Sequence, residues 1–330
     1  MPTFILGAGF NVDATAETGP FFEESCYIGR FQVDCAYPLV SDTLRQCFNL
    51  TALPAGKSIE NLFAGAIAEG NYAPLVKLAD RLREADHYIA NRIARYEEQS
   101  SYRRFFDAFG RSSFLTFNYD SLPETILHNL GLWHPHDGYG VPVATFLPPG
   151  KEHLRKRESS AFVLHLHGSL CIATSETELY QRPEDKRWWL SPRDRPLFKF
   201  DPSSISANFP PYQREPGTDD ARDRVIAPVP DKSQGLSEAF IRATYAKAEG
   251  LLQESEIAVA IGYSFNQHDH SSYQPLLCAL RRSHGRRMLV VAPDADSITT
   301  ALRPSVPGLA IEPVMATFRQ WVNQSFPGLN

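Results

Sequence analysis

The chain has 330 residues, 43% of them hydrophobic and 22% charged, and its formal net charge is −5. This composition is typical of a globular protein, and the length suits one large domain or two smaller ones. The slight acidic excess does not favour a nucleic-acid surface, and the short basic stretches at 151–157 and 281–287 are interpreted as solvated faces. We therefore expect no direct binding to nucleic acid.

The cysteines indicate a reducing compartment. There are five, at positions 26, 35, 47, 171 and 278, and no two of them form a Cys-x-x-Cys pair. An odd number with irregular gaps disfavours a disulfide framework and a four-cysteine zinc site. The sequence contains no apolar run near the roughly 20 residues that span a bilayer, and no signal-peptide pattern. We expect a soluble, cytoplasmic protein that binds no metal and no membrane.

In chain order, the first predicted element is a strand at Thr3–Leu6, which leads directly into Gly7-Ala8-Gly9. Residues 40–110 are predicted to be helical, most clearly at 75–96, where apolar residues recur at spacings of three and four. Further strands are predicted at 113–116, 161–164, 257–261, 288–291 and 310–314, with helices at about 237–254 and 271–284. The irregular segments at about 133–158 and 192–235 are predicted to be long loops.

The predicted strands are apolar at both odd and even positions, which is typical of parallel strands that helices cover on both faces. Their alternation with helices predicts an α/β fold, a Rossmann-like, doubly wound and mainly parallel sheet with a helical insertion at about 40–110. We expect residues 1–330 to form one domain.

Polar residues follow most of these strands at the carboxyl end. They are Gly7-Ala8-Gly9, Asn118 with Asp120, His167, Ser264 and Asp294. Open α/β sheets bind ligands at that edge, where the strand order reverses. The sequence therefore predicts a ligand site there.

The first two of these segments also have simpler interpretations. Gly7-Ala8-Gly9 can bring backbone N–H groups to a pyrophosphate, but Val12 replaces the third glycine of the dinucleotide fingerprint, and a plain turn explains the glycines equally well. Asp120 can cap the helix predicted to begin after it, with or without facing a ligand.

The histidines leave further alternatives open. His165 and His167 share one side of a strand, and either one can be a buried core residue; His167, nearer the strand end, is the better candidate for the site. The segment His268-Asp269-His270 is typical of a metal or acid–base cluster, and equally of an exposed loop.

Taken together, four segments resemble motifs of the sirtuin superfamily, in the same order. They are Gly7-Ala8-Gly9-Phe10, Phe117-Asn118-Tyr119-Asp120, His167-Gly168-Ser169 and Gly262-Tyr263-Ser264-Phe265. The similarity spans residues 4 to about 294 and is closer to the zinc-free bacterial sirtuin-like proteins of anti-phage defence. The cysteine pairs of a zinc ribbon are missing, and Asn11-Val12-Asp13 departs from the deacylase phosphate loop. Both departures count against acyl-lysine peptide as substrate.

The resemblance implies that NAD is the substrate, with hydrolysis of the nicotinamide–ribose bond to nicotinamide and ADP-ribose. It implies that Asn118 positions the ribose or the attacking water, that Asp120 holds the carboxamide and that His167 is the general base. It assigns NAD binding to Gly7, Ala8, Gly9, Phe10, Gly262 and Ser264. Asp294 is a further candidate, for contact with the adenosine ribose, as acidic residues at strand ends are in Rossmann sites.

Two other functions fit the same motifs: a non-catalytic sensor of NAD or ADP-ribose, and an NAD-dependent protein deacylase. The resemblance to the defence proteins implies that the NAD hydrolysis is switched on only when needed, because constant hydrolysis would kill the host cell. We expect a homo-oligomer, or a partner protein such as a translocase-type ATPase or a nucleotide-processing enzyme, to supply this control.

Overall fold

Six parallel strands form the central sheet of the computed structural model. The structure describes residues 1–18, 21–25, 29–33, 40–82, 85, 100–134, 137–141, 144–145, 158–174, 197–198, 222–225, 228–237 and 239–329. In chain order, the strands of these residues are β1 (Thr3–Leu6), β2 (Phe21–Ser25), β3 (Gly29–Val33), β4 (Ser113–Thr116), β5 (Ala144–Thr145), β6 (Phe162–His165), β7 (Gly168–Thr174), β8 (Leu197–Phe198), β9 (Arg222–Val225), β10 (Ala258–Ile261), β11 (Arg287–Ala292) and β12 (Ala310–Met315).

The α-helices follow the same numbering scheme. They are α1 (Ala8–Thr18), α2 (Val40–Phe48), α3 (Ile59–Ala68), α4 (73–82), α5 (Ser101–Phe109), α6 (Leu122–Asn129), α7 (Ser233–Leu236), α8 (Ala239–Glu254), α9 (His270–Arg281), α10 (Ala295–Leu302) and α11 (Phe318–Asn323). Within the described part of the chain, no helix is both long enough and apolar enough to cross a membrane.

The strand order of the central sheet is β12-β11-β10-β1-β4-β6. From β1 the chain moves outward to β4 and β6, then returns to the other side of β1 and continues outward through β10, β11 and β12. This is the order of a Rossmann sheet, and it reverses between β1 and β10. The predicted α/β fold is confirmed, and the six strands begin and end within one residue of their predicted bounds.

The central strands of the sheet are buried on both faces, whereas the edge strand β12 is mostly exposed. Every residue of β1 and β10 is at most 3% exposed, as the apolar runs predicted. Aromatic rings pack against one face, with Phe4 of β1 edge-on to Phe105 of α5 at 4.9 Å and Phe105 edge-on to Phe318 of α11 at 5.3 Å. This packing holds α5 and α11 against the sheet.

The predicted helical insertion contains α2, α3, α4 and α5. The helix predicted at 75–96 begins at residue 73, and two residues of its apolar stripe, Leu82 and Ala85, are buried. Residues 86–99 lie outside the described residues. At the start of α5, the Ser100 side chain accepts a hydrogen bond from the N–H of Arg103, which caps the helix.

The prediction of long loops at 133–158 and 192–235 holds for residues 133–134, 137–141 and 228–232, which are turns, bends and coil, and is wrong at β5, β8, β9 and the start of α7. These segments contribute β5, β8 and β9 to a second sheet, of order β5-β8-β7-β9, and 192–235 also contains most of α7. The hairpin of β2 and β3 was not predicted either. Two-residue strands such as β5 and β8 are too short to show an alternating pattern, so only their pairing defines them: β5 with β8, and β8 with β7.

Candidate functional site

Four strand ends lie level with one another at the carboxyl edge of the sheet. Leu6 of β1 pairs with Ile261 of β10 on one side and with Thr116 of β4 on the other, and Thr116 pairs with His165 of β6. The segments that follow these residues therefore meet in one row. Most of the sequence motifs are thus brought together beside the point where the strand order reverses.

The glycines of this row allow two loops to touch through their backbones. The N–H of Gly7 donates to the carbonyl of Ile261 (3.0 Å), and the N–H of Gly9 donates to the carbonyl of Gly262 (2.9 Å). A Cβ on Gly262 would lie 2.3 Å from the carbonyl carbon of Gly9, and its φ of +61° is in the left-handed region. The N–H groups of Gly7 and Gly9 thus donate to backbone carbonyls of the chain itself. Ala8, at the start of α1, is exposed.

We expect Gly262→Ala to lower the free energy of unfolding by about 2–4 kcal/mol, because the left-handed backbone and the contact with Gly9 both disfavour a Cβ. The matched control is Gly250→Ala in α8, where a Cβ meets no atom within 4 Å. That variant is expected to gain about 0.5–1 kcal/mol, since alanine is the better helix former. Urea unfolding measures both values, and equal stability of the two variants would contradict the interpretation.

Phe10 requires a correction, because its side chain is not at the edge. The ring is 0% exposed and packs edge-on against Phe318 at 4.7 Å and Tyr102 at 5.1 Å. Its backbone N–H donates to the carbonyl of Gly7. Phe10 therefore anchors α1 to the core and presents no side chain to a ligand.

Ser264 and Asp294 are both exposed near this edge. Ser264 lies two residues beyond Gly262, after β10. Asp294 follows β11 at the N-cap of α10, and its side chain makes no capping hydrogen bond. Both side chains are therefore accessible from solvent on the β10 and β11 side of the sheet.

Asn118 connects the end of β4 to the turn after β1. Its Nδ2 donates to the carbonyl of Gly7 (3.0 Å) and lies 3.4 Å from Oδ1 of Asn11. Its backbone N–H donates to Oγ1 of Thr116 (3.0 Å), and the residue is 6% exposed. Nδ2 therefore donates within the chain, and Oδ1 is the atom of the Asn118 side chain that can accept a hydrogen bond from a ligand.

Asp120 caps the following helix with one oxygen only. Oδ1 accepts a hydrogen bond from the N–H of Leu122 (3.1 Å), so the predicted capping role is confirmed. Oδ2 is buried and has no hydrogen-bond partner among the described residues. Burial raises the pKa of this carboxyl above its ordinary value, against the lowering effects of the Asn11 side chain and the Leu122 N–H. Beside Asn118 there is therefore a buried acceptor for which the described residues supply no donor.

The structure separates the roles of the two histidines, because both nitrogens of His165 are occupied. Nδ1 lies 3.0 Å from the carbonyl oxygen of Asn118, and Nε2 lies 2.5 Å from Oε1 of Glu124. The Asn118 carbonyl and the Glu124 carboxylate can both accept, so both ring nitrogens have a partner for their protons when His165 is an imidazolium. Burial acts to lower the pKa of His165, but the Glu124 carboxylate and the Asn118 carbonyl raise it, and the net pKa is above its ordinary value. His165 is therefore a buried structural residue.

The pKa of His167 is shifted in the opposite direction from that of His165. His167 is 4% exposed, its Nε2 lies 3.0 Å from Oγ of Ser272, and its ring packs edge-on against Phe117 at 4.9 Å. Burial lowers its pKa to about 4, with Asp269 opposing this shift and Lys232 adding to it. The imidazole is thus neutral at pH 7 and can accept a proton.

Beside His167 lies an ion pair that the sequence did not reveal, with Lys232 buried and Asp269 half-buried. Nζ of Lys232 lies 2.8 Å from Oδ1 of Asp269, and Oδ2 of Asp269 accepts a hydrogen bond from the hydroxyl of Tyr263 (3.3 Å). The Tyr263 ring in turn stacks on Phe117 at 4.1 Å. Asp269, one of the residues of the His268-Asp269-His270 segment, therefore supports the aromatic wall beside His167.

Asn11, Glu124, Lys232 and Ser272 were missed in the sequence. Glu124 follows Asp120 by four residues, a spacing that could have indicated a second acidic side chain near the site. Asn11, Lys232 and Ser272 are not indicated by any local pattern, because their partners are distant in sequence. Among the residues that the structure describes, no group of three or more His, Cys, Asp or Glu side chains is placed to hold a metal ion.

No family model matches the chain, and no curated protein matches it. Solved structures that it resembles are Sir2 homologues. One is a Sir2 homologue mutant complexed with 2′-O-acetyl ADP-ribose (15% identity, TM-score 0.44, 99% of this chain and 94% of that chain). Another is Sir2 with a p53 peptide and NAD⁺ (10%, 0.41, 98% and 91%), and a third is a Sir2 homologue mutant with ADP-ribose (14%, 0.39, 98% and 88%). Similarities this remote carry no argument about function, and they assign the chain to no family.

Proposed function

We propose that this chain binds NAD at the carboxyl edge of its sheet and hydrolyses the bond between nicotinamide and ribose. One observation carries the proposal. A buried carboxylate oxygen of Asp120 that has no hydrogen-bond partner among the described residues, and a buried neutral histidine, His167, follow neighbouring strands β4 and β6 beside the reversal point of a Rossmann-ordered sheet. Open sheets of this order bind dinucleotides across that point.

The dinucleotide would span the edge from β11 to β6. The pyrophosphate would lie at the N-terminus of α1, where the helix dipole favours negative charge and Ala8 is exposed. Gly7, Gly9 and Gly262 support this role by permitting the close approach of the two loops. Ser264 would contribute its hydroxyl to the phosphates, and Asp294 would accept a hydrogen bond from the adenosine ribose.

The nicotinamide half would lie at the ends of β4 and β6. Oδ2 of Asp120, which accepts no hydrogen bond from the part of the chain that the structure describes, fits the N–H of a carboxamide, which would satisfy an acceptor that is otherwise costly to bury. Oδ1 of Asn118 would accept a hydrogen bond from the attacking water or a ribose hydroxyl. These contacts would orient the glycosidic bond between the leaving group and the water.

Hydrolysis would proceed through a ribose with oxocarbenium character. Water adds to the anomeric carbon as the bond to the nicotinamide nitrogen breaks, and the electron pair of that bond leaves with nicotinamide. The proton lost by the water passes to neutral His167 and then to solvent. We propose that no metal takes part, so EDTA should leave turnover unchanged.

The test is to incubate the purified chain with NAD, alone and with an acetylated peptide, and to measure nicotinamide release together with NAD binding by calorimetry. Release without peptide is the expected result. Release that requires the peptide would show an NAD-dependent deacylase, and binding without release would show a sensor of NAD or ADP-ribose. Each of these last two results would overturn the hydrolase proposal.

We also propose that residues 1–330 form one NAD-binding domain with a helical insertion at about 40–110, since one buried hydrophobic cluster contains residues from Phe4 to Val322. The proposed setting is anti-phage defence by NAD depletion, supported by the motif resemblance. Assembly into a homo-oligomer, or binding to a partner such as a translocase-type ATPase or a nucleotide-processing enzyme, would switch NAD hydrolysis on and off. A monomer that is fully active alone at every dilution would contradict this switch.

A further inference from the structure

Two successive backbone carbonyls after β4 are held by side chains on either side of His167. Nδ1 of His165 lies 3.0 Å from the carbonyl oxygen of Asn118. The hydroxyl of Ser169 donates to the next carbonyl oxygen, that of Tyr119 (3.4 Å). His165 precedes His167 by two residues and Ser169 follows it by two, so the segment after β4 is fastened to the segment at the end of β6 at two consecutive peptides.

The direction of the bond between His165 and Asn118 follows from its atoms, because a carbonyl oxygen can only accept. Nδ1 of His165 therefore carries a proton, since a lone pair on that nitrogen would face the lone pairs of the carbonyl across 3.0 Å inside the core. Nε2 lies 2.5 Å from Oε1 of Glu124. Whether the proton of that second contact lies on the nitrogen or on the carboxyl group, Nδ1 keeps its own and donates it to the Asn118 carbonyl.

This bond restrains a part of Asn118 that its other contacts leave free. The N–H of Asn118 donates to Oγ1 of Thr116 and its Nδ2 donates to the carbonyl of Gly7, both at 3.0 Å. Those contacts act on the peptide before Asn118 and on its side chain. The bond from His165, which comes from the neighbouring strand β6, acts on the peptide after it, which leads toward Asp120.

We propose that His165 is a positioning residue, whose hydrogen bond to the Asn118 carbonyl holds the side chains of Asn118 and Asp120 in place relative to His167. A buried carbonyl without a donor is unfavourable, so loss of the bond would turn this peptide toward another partner and displace both side chains. The catalytic consequence rests on the proposed NAD hydrolysis. The bond itself is a property of the free protein, so it can be measured whether or not the chain cleaves NAD.

The test compares two substitutions of His165 that have nearly the same size. Nδ2 of an asparagine is as many bonds from the backbone as Nδ1 of a histidine, so His165→Asn keeps a donor for the Asn118 carbonyl, whereas His165→Leu removes it. Each is combined with Glu124→Gln, because a buried carboxylate that has lost its partner is strongly destabilising. The resulting donor-keeping and donor-lacking variants share every other loss.

The bond is measured in a spectrum that correlates the carbonyl carbon of asparagine with the amide nitrogen of tyrosine, in the full chain labelled with ¹³C′-asparagine and ¹⁵N-tyrosine. The sequence contains two Asn-Tyr peptides, Asn71-Tyr72 and Asn118-Tyr119, so two signals are expected and the first is an internal control. The control signal is assigned by its loss in Tyr72→Phe, which changes an exposed residue.

A hydrogen bond to a carbonyl oxygen deshields its carbon. We therefore expect the Asn118 signal to stay near its wild-type position in the donor-keeping variant and to move upfield in the donor-lacking one, with the Asn71 signal unchanged in both. An Asn118 signal at the same position in the two variants overturns the proposal.

Turnover supplies the second measurement. The donor-lacking variant is expected to lower kcat for NAD about ten- to a hundredfold, the effect of displacing orienting groups by about 1 Å, and the donor-keeping variant should recover most of that loss. An equal kcat in the two variants contradicts a positioning role, because any merely structural contribution of His165 is lost in both. A wild type that leaves NAD intact refutes the proposed function, while the spectra still decide whether His165 holds the Asn118 carbonyl.

Discussion

His167→Ala is expected to lower NAD turnover about a hundred- to ten-thousand-fold, the range over which a general base acts. The reason is that His167 is the neutral, buried imidazole at the end of β6, whereas both ring nitrogens of His165 have partners within the chain. The matched control is His270→Ala, which removes an exposed imidazole from the start of α9 and should keep wild-type turnover. Nicotinamide release under saturating NAD measures all three proteins.

The pH dependence of kcat/KM gives the same assignment a second test. His167 accepts a proton only while it is neutral, and burial lowers its pKa to about 4. We therefore expect kcat/KM to stay constant from about pH 8 down to about pH 5 and to fall as the pH drops through about 4. A folded His167→Ala variant with wild-type turnover, or a profile that falls already at the ordinary histidine pKa of about 6.5, would contradict the assignment.

Glu124→Gln is expected to lower the free energy of unfolding by about 3–5 kcal/mol, because it leaves the imidazolium of His165 buried without its counter-charge. Both side chains of this pair are at most 1% exposed. The matched control is Glu249→Gln, which removes the carboxylate of a surface pair with Arg282 at 3.8 Å and should cost less than about 1 kcal/mol. Urea unfolding of both variants measures the difference.

The effect of Glu124→Gln should also depend on pH, and the sign follows from the raised pKa of His165. A group whose folded pKa exceeds its unfolded value of about 6.5 stabilises the native state fully below that value and loses this contribution as the pH rises through the folded pKa. The gap between wild type and variant should therefore be largest below about pH 6.5 and shrink in alkaline solution. A gap that grows with pH would show that His165 is buried in its neutral form.

The sequence by itself determined the layers of this fold. Apolar runs located the six strands of the central sheet to within one residue. In β1 and β10 the reason is burial on both faces, which requires an apolar or small residue at every position. The same patterns located α8, α9 and the helices at 40–110. They also showed that polar motifs follow the strands at one edge, which predicted where the site lies but not which atoms face it.

Only the tertiary structure decided the hydrogen-bond partners of the candidate site residues. Glu124 contacts His165 across 41 positions of the chain, and Ser272 contacts His167 across 105. Such partners leave no local pattern, so the sequence could not tell the imidazolium from the neutral base. The position of Phe10 also depends on contacts that are distant in sequence, because its ring lies in the core only through packing against α5 and α11. Local sequence patterns indicate whether a residue is buried. The charge and the hydrogen bonds of a buried polar side chain depend on neighbours that folding brings from elsewhere in the chain.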